Sequence, residues 1–288
     1  MAEPLLKASH ITMQFGGLKA VDNVDMAIMA GEIHALIGPN GAGKTTFFNV
    51  VSGINTPTSG TVTLNGEDIT KLKAYQVTER GIARTFQNIL LFDNMNIVQN
   101  VMVGAHTRTD SSLLGSVLRL KKSREEERKC LEKAMEVLEF VGMADEAEGS
   151  SGSLPYGKKR ILEIARALAS EPKIIMLDEP AAGMNNTESE DLAKLIYRIR
   201  ERGVTVLLVE HDMKFVSGIS DVITVLDHGQ KICEGEPGPV LSNPIVIEAY
   251  LGKDEDTAAV QIAEKLVEED LEEGRALVEE IKEEQGDE

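Results

Sequence analysis

Nine residues, "GPNGAGKTT" (Gly38 to Thr46), constrain this chain more than any others. They follow the apolar run "EIHALIG" and precede "TTFFNVVSGI", which reads as a helix. Strand, glycine-rich loop and helix in that order make an anion cradle. Glycines let successive backbone N–H groups turn inward as a nest, and the helix adds its positive end. Gly38, Pro39, Asn40, Gly41, Ala42, Gly43, Lys44, Thr45 and Thr46 are the candidate phosphate-binding residues. Lys44 brings a point charge for the outer phosphates and Thr45 a hydroxyl for Mg²⁺.

The flanking pattern says what kind of sheet carries the loop. "KIIMLDE", "VTVLLVEH" and "DVITVLDHG" are apolar, strand-like runs, and "SEDLAKLIYRIRERG" between the first two is helical. Strands alternating with helices imply right-handed crossovers and a parallel sheet covered on both faces. Near the start, "LKASHITMQF" and "AVDNVDMAIM" alternate loosely and read as a small separate sheet. "GTVTLNGEDI" reads as a further strand with a turn at Asn65-Gly66. From about Leu90 to Gly157 the character is helical. In "SREEERKCLEKAMEVLEFVGM" the residues Leu131, Ala134, Met135, Val137, Leu138 and Val141 fall on one side. This middle reads as an insertion into an α/β core.

In an open parallel sheet, ligands sit beyond the carboxyl ends of the strands. "KIIMLDEP" places Asp178 and Glu179 there. Asp178 is positioned to hold Mg²⁺, and Glu179 to polarise or deprotonate a water. Alone, such a segment is a surface turn; the phosphate cradle changes its meaning. "LLVEHDM" ends another apolar strand at His211. A lone histidine there is commonly structural, but here it can reach a terminal phosphate. Gln87, in "RTFQNILLF", stands where the helical insertion begins. Its neutral amide can sense Mg²⁺ and water, although by itself the residue carries no signal.

Composition narrows the class. The net charge of the 288 residues is −18, which argues against a nucleic-acid partner. Residues 253–288 alone carry 15 Asp/Glu and 4 Lys/Arg, a net −11, so the tail is a separate compositional unit. The 2 cysteines, Cys130 and Cys233, lie far apart and fit reduced thiols. "MAEPLLKASH" lacks the features of a signal peptide. No apolar run reaches the roughly 18 residues of a membrane span, so a membrane connection would go through a partner.

Taken in order, the phosphate loop, Gln87, the helix start in "GSLPYGKKRILEIARALA", "IIMLDE" and His211 resemble the ATP-binding subunits of ABC transporters. The resemblance covers about residues 5–252. "RTFQN", "LPYGKKRILEIARALA", "LDEPAAGMN" and "NPIVIEAYLG" look like the branched-chain amino acid importer ATPases, which share a long helical stretch like Thr107 to Gly142.

The resemblance implies an α/β fold: a P-loop NTPase core with a parallel sheet, a small antiparallel β subdomain and an inserted helical subdomain. It implies an ATPase domain over 1–252, with the core in 1–87 and 162–252 and the helical subdomain in 88–161. Residues 253–288 are then an acidic, helical extension. Implied cofactors are ATP and Mg²⁺, the metal held by Thr45, Gln87 and Asp178. Lys44, Gln87, Glu179 and His211 are the implied catalytic residues. Phe15 matches an aromatic that stacks on adenine, although it also reads as an ordinary strand residue.

In the family, the counterpart of Leu154–Lys158 contacts ATP bound to a second subunit, so Tyr156 and Gly157 face the partner's nucleotide. The usual L-S-G-G-Q is here L-P-Y-G-K. Pro155 brings neither hydroxyl nor N–H, while Lys158 adds a positive charge near the anion. The family also often has Asp where this chain has Asn185, which puts an interprotomer charge contact in doubt.

Implied partners are a second ATPase subunit, identical or not, two integral membrane permease subunits and, indirectly, an extracytoplasmic solute-binding protein. The implied location is peripheral, on the cytoplasmic face of the inner membrane. Leu91 and Phe92 read either as core or as facing a permease. The implied task is uptake of Leu, Ile and Val. Importers of urea or short-chain amides, a lipid-exporter ATPase and a non-transport ABC ATPase are the alternatives. The tail reads as a solvated acidic helix or as one that docks on its own domain or a partner. Ile262, Ala263, Leu266, Val267, Leu271, Leu277, Val278 and Ile281 carry its apolar spacing, and Gly274 interrupts it.

Overall fold

The computed structural model describes residues 3–105, 121–251, 270–274 and 276–279. The chain forms two compact units, one of Met1–Val77 with Met176–Glu288 and one of Thr78–Ile175.

In chain order the strands are β1 (Leu6–Phe15), β2 (Leu18–Ile28), β3 (Ile33–Ile37), β4 (Ser59–Leu64), β5 (Glu67–Asp68), β6 (Ile82–Arg84), β7 (Ile174–Asp178), β8 (Thr205–Val209), β9 (Val222–Asp227) and β10 (Gln230–Gly235). The helices are α1 (Lys44–Val51), α2 (Ala74–Arg80), α3 (Ile97–Ala105), α4 (Lys121–Phe140), α5 (Tyr156–Leu168), α6 (Asn186–Glu201), α7 (Met213–Ile219), α8 (Pro237–Leu241) and α9 (Pro244–Leu251).

The first unit has two sheets. The smaller is antiparallel, in the order β2-β1-β4-β5, with Leu6 opposite both Ile28 and Leu64. One face of β1 is buried through Leu6, Ala8 and Ile11, so the loose alternation of the sequence reflects a half-solvated sheet. Asn65 and Gly66 take φ of 50° and 79° in the β4–β5 turn, both in the left-handed region. In the second sheet β3 lies between β8 and β9 and runs parallel to both, with Ile33 opposite Val206 and His34 opposite Val222. β10 closes one edge antiparallel to β9. All five residues of β3 and of β8 are buried, as continuous apolar runs require when both faces are covered.

The second unit is mainly helical, with a core of Ile97, Val98, Val101, Cys130, Ala134, Val137, Leu138, Leu162 and Ala165 from α3, α4 and α5. The buried stripe of α4 passes through Cys130, Ala134, Val137 and Leu138. Leu131, read as part of that stripe, is instead 42% exposed, because it lies one residue off the i, i+4, i+7, i+8 row. Leu91 packs against this core whereas Phe92 is exposed, so the two neighbours divide between the two readings made of them. Gly104 makes the α3–α5 approach workable: a Cβ there would stand 1.9 Å from the Arg166 carbonyl oxygen. Of the stretch Thr107–Gly142, residues 107–120 lie outside the described residues.

Ile262, Ala263, Leu266, Val267 and Ile281 also lie outside them. The described part of the tail is helical and packs on α7 of its own unit. Leu271 and Leu277 are buried, Lys214 Nζ lies 2.9 Å from Glu273 Oε2, and Ser217 Oγ donates to the Asp270 carbonyl at 3.2 Å. Gly274 is a contact rather than an interruption: a Cβ on it would fall 2.2 Å from Ser217 Oγ. Among the described residues no helix is long and apolar enough to cross a membrane.

Candidate functional site

The loop from Gly38 to Gly43 joins the buried end of β3 to α1. Gly38 has φ 147° and lies so close to β9 that a Cβ would stand 2.0 Å from the Leu226 carbonyl oxygen. Gly43, at φ 101°, serves as the N-cap of α1 without a side-chain cap. A Cβ there would meet Ala20 O at 2.4 Å. Both positions admit only glycine, and the uncapped helix leaves its first N–H groups for a ligand. Lys44 is buried and donates from Nζ to Gly38 O at 2.5 Å and Pro39 O at 2.9 Å. Burial lowers its pKa, while the negative fields of Glu179 and Asp178 oppose that. The loop thus holds a desolvated ammonium beside carbonyls, which an anion can draw off. Thr45 is exposed in the first turn of α1, with Thr46 half-buried beside it.

Asp178 is buried at the end of β7. Glu179 follows in the left-handed region, at φ 47°, with its N–H donating to Val209 O at 2.9 Å. Non-glycine residues hold such a conformation only when the surroundings impose it. The turn aims the carboxylate at His211, whose Nε2 stands 3.0 Å from Glu179 Oε1. The same unit therefore brings Lys44, Asp178, Glu179 and His211 together.

Two residues that sequence reasoning passed over join them. Glu210 is buried beside His211 and accepts the backbone N–H of Ala181 at 2.7 Å and that of His211 at 3.1 Å. Burial pushes its carboxyl up to about 7, against those two hydrogen bonds and with help from the nearby charges of Glu179 and Asp212. Tyr250 of α9 hydrogen-bonds the Gly38 backbone, and burial raises its phenol although about a third of the residue remains exposed. A buried acid before His211 leaves a weak signal in the run "LLVEH"; Tyr250 leaves none.

Phe15 ends β1 beside the Gly16-Gly17 turn and is 50% exposed, an aromatic face without a core role. Asn185 caps α6 in a reciprocal box: its side chain accepts from Glu188 N, and Glu188 accepts from Asn185 N, both at 3.0 Å. Its amide is thereby committed to the helix start.

In the second unit, Pro155 is the N-cap of α5 and supplies no side-chain hydrogen bond. Tyr156 is 46% exposed and Gly157 is buried. Lys158, read as an extra charge for an anion, pairs with Glu146 and stays about half exposed. Gln87 lies between β6 and α3 in a segment of irregular backbone, and its carbonyl accepts from Arg160 Nη2 at 2.9 Å. Arg160 is fully buried in α5 and was not singled out in the sequence, where it reads as one of three consecutive cations.

The glycine cradle and the carboxylates beyond the parallel sheet define a nucleotide-binding cassette, and the comparison with known proteins agrees. The chain belongs to the ABC transporter family, which matches residues 21–182. Residues 230–256 match, more narrowly, the branched-chain amino acid ATP-binding cassette transporter family.

Among individual relatives, the high-affinity branched-chain amino acid transport ATP-binding protein BraF of Pseudomonas aeruginosa is 44% identical over 254 residues, 88% of this chain and 100% of BraF. LivG of Escherichia coli (strain K12), a protein of the same description, is 42% identical over 254 residues, again 88% of this chain and 100% of LivG. Among solved structures, a nucleotide-free ATP-binding cassette from an ABC transporter superposes with TM-score 0.76 at 33% identity, covering 87% of this chain and 100% of its own. The ADP conformation of such a cassette gives TM-score 0.77 at 33% identity, covering 88% and 100%.

Proposed function

We propose that this chain is the ATP-hydrolysing subunit of an importer for branched-chain amino acids, working peripherally on the cytoplasmic face of the membrane as one of a pair. Its partners in this reading are a second ATPase subunit, two membrane permeases and, through them, an extracytoplasmic solute-binding protein. The observation that carries the reading is the alignment with BraF along that protein's whole length. The site chemistry supports it.

ATP is the substrate, with its phosphates in the N–H groups of residues 38–46 and its adenine against Phe15. Lys44 exchanges its carbonyl acceptors, Gly38 O and Pro39 O, for oxygens of the outer phosphates. Thr45, Asp178 and Gln87 would hold Mg²⁺, which when bound neutralises charge on the phosphate oxygens. Hydroxyl, carboxylate and amide oxygens are the hard donors that Mg²⁺ takes, few at a time, alongside phosphate and water. Glu179 orients a water and accepts its proton as the oxygen–phosphorus bond forms and the bond to ADP breaks. His211 fixes the Glu179 carboxylate in place. Tyr156 and Gly157 face the nucleotide of the second subunit, so hydrolysis in each half depends on pairing.

The test is purification of the intact assembly through a tag on this chain, followed by reconstitution in vesicles. ATP-dependent uptake of radiolabelled leucine, isoleucine and valine is the expected result. Uptake of urea or short-chain amides instead would move the assignment to those solutes. Recovery of ribosomes or DNA without membrane subunits would overturn it.

A further inference from the structure

Within the second unit, α5 holds the segment 86–92 by its backbone. Arg160 Nη1 donates to Phe86 O at 2.7 Å and Nη2 to Gln87 O at 2.9 Å. Glu163 Oε1 accepts from Phe86 N at 3.4 Å, and Arg166 Nη1 donates to Leu90 O. Arg160, Glu163 and Arg166, spaced three apart, form one polar face. The same guanidinium reaches the other end of the helix's first turn, where Nη2 lies 3.3 Å from the Tyr156 hydroxyl.

Stability does not account for this arrangement. Arg160 and Glu163 form a buried ion pair at 2.9 Å, and among the described residues the Arg160 Nε has no hydrogen-bond partner. Burying two charges costs about as much as their attraction returns, and an orphan donor adds to the cost. An apolar pair of similar volume would pack the same space. What an apolar pair cannot do is grip two successive carbonyls in a planar fork and touch the helix start as well. Phe86 and Leu90 are exposed, Leu91 packs against the helical core and Asn100 and Ser151 hold the Phe92 end, so the α5 contacts to the backbone of Phe86, Gln87 and Leu90 are the ties that join this segment to the helix start.

We propose that Arg160 is a positioning residue that makes Gln87 and the Tyr156–Gly157 helix start move as one piece. A change felt at Gln87 by this chain's own nucleotide is thereby passed to the surface that meets the second subunit. The inference rests on the roles given above to Gln87 and to Tyr156 with Gly157.

The test compares the intact transporter carrying R160M/E163M, which replaces the ion pair by packing, with wild type and with R160K. Nucleotide affinity of the purified chain, thermal midpoint and kcat of the vesicle-reconstituted assembly are measured together. The expected result for R160M/E163M is a kcat lower by about tenfold to a hundredfold. Nucleotide Kd should stay within about twofold and the thermal midpoint should be unchanged. R160K, which supplies the charge without the fork, should recover only part of kcat. A double variant with wild-type kcat would overturn the proposal while leaving the ATPase reading intact. Parallel loss of affinity and thermal stability in both variants would overturn it too, by showing a role confined to folding. Wild-type protein that binds no nucleotide would instead remove the reading on which the inference stands.

Discussion

His211 Nε2 and Glu179 Oε1 lie 3.0 Å apart, each just past the end of one of two neighbouring strands, β8 and β7, of the same sheet. Glu179 makes this contact from a left-handed backbone. The strain, of order 1–3 kcal/mol, is borne by a turn whose N–H is tied to Val209. A carboxylate fixed this way can act on one water without reorganising. E179Q keeps the shape and removes the base, so turnover should fall by about 10²–10⁴ with nucleotide affinity retained. H211A should fall by a smaller factor, because Glu179 remains but swings. Single-turnover hydrolysis and equilibrium binding on the same preparations check both; an E179Q enzyme within threefold of wild type would contradict the assignment.

Glu210 makes a pH prediction. Its carboxyl is raised from 4.5 to about 7 by burial in the folded chain. Between those values the folded state holds a proton that the unfolded state has released. The unfolded state thus binds fewer protons, and stability falls as pH climbs from about 4.5 through 7. The full span corresponds to at most about 3 kcal/mol. E210Q, neutral throughout, should lack this slope. Denaturant midpoints measured from pH 5 to 8 on both proteins give the difference curve, and parallel curves would refute the assignment.

Pro155 makes a second prediction about the helix start. It offers α5 no side-chain cap. P155S supplies an acceptor for the first-turn N–H groups and should stabilise the chain by about 1 kcal/mol. In the proposed pair the new hydroxyl would add a hydrogen bond to a charged phosphate, worth about 1.5–3 kcal/mol. Pairing in a slowly hydrolysed ATP analogue should tighten by about tenfold or more, read by analytical ultracentrifugation. Unchanged pairing would show that the Tyr156–Gly157 segment does not meet the partner's nucleotide.

The core strands were legible because runs such as "KIIMLDE" and "VTVLLVEH" have one solution, a strand buried on both faces. The glycine loop was legible because Gly38 and Gly43 meet backbone atoms at distances that exclude any Cβ. Arg160, Glu210 and Tyr250 were not, since their meaning lies in partners 73, 29 and 212 residues away in sequence, which no local pattern encodes. The pairing of Lys158 with Glu146 was hidden for the same reason, since Glu146 belongs to a different turn of the chain. Leu131 failed on phase, one residue from the buried row of α4. Asn185 is in addition a helix cap, a role its spacing to Glu188 already spelled out.

The tail supplies the last prediction. Gly274 lies against Gly218 and Ser217 of α7, the helix that begins immediately after His211 and Asp212. Two glycines facing each other allow a backbone approach that any side chain would block, and Glu273 adds an ion pair to Lys214. G274L places a Cβ within 2.2 Å of Ser217 Oγ and 2.9 Å of the Gly218 nitrogen, so the tail must lift. Loss of the Leu271 and Leu277 contacts should cost about 1–3 kcal/mol. Amide exchange across residues 213–219 should accelerate, because that helix is short and loses its cover. Exchange there equal to wild type, with the tail equally resistant to protease, would mean that the glycine contact does not hold the tail.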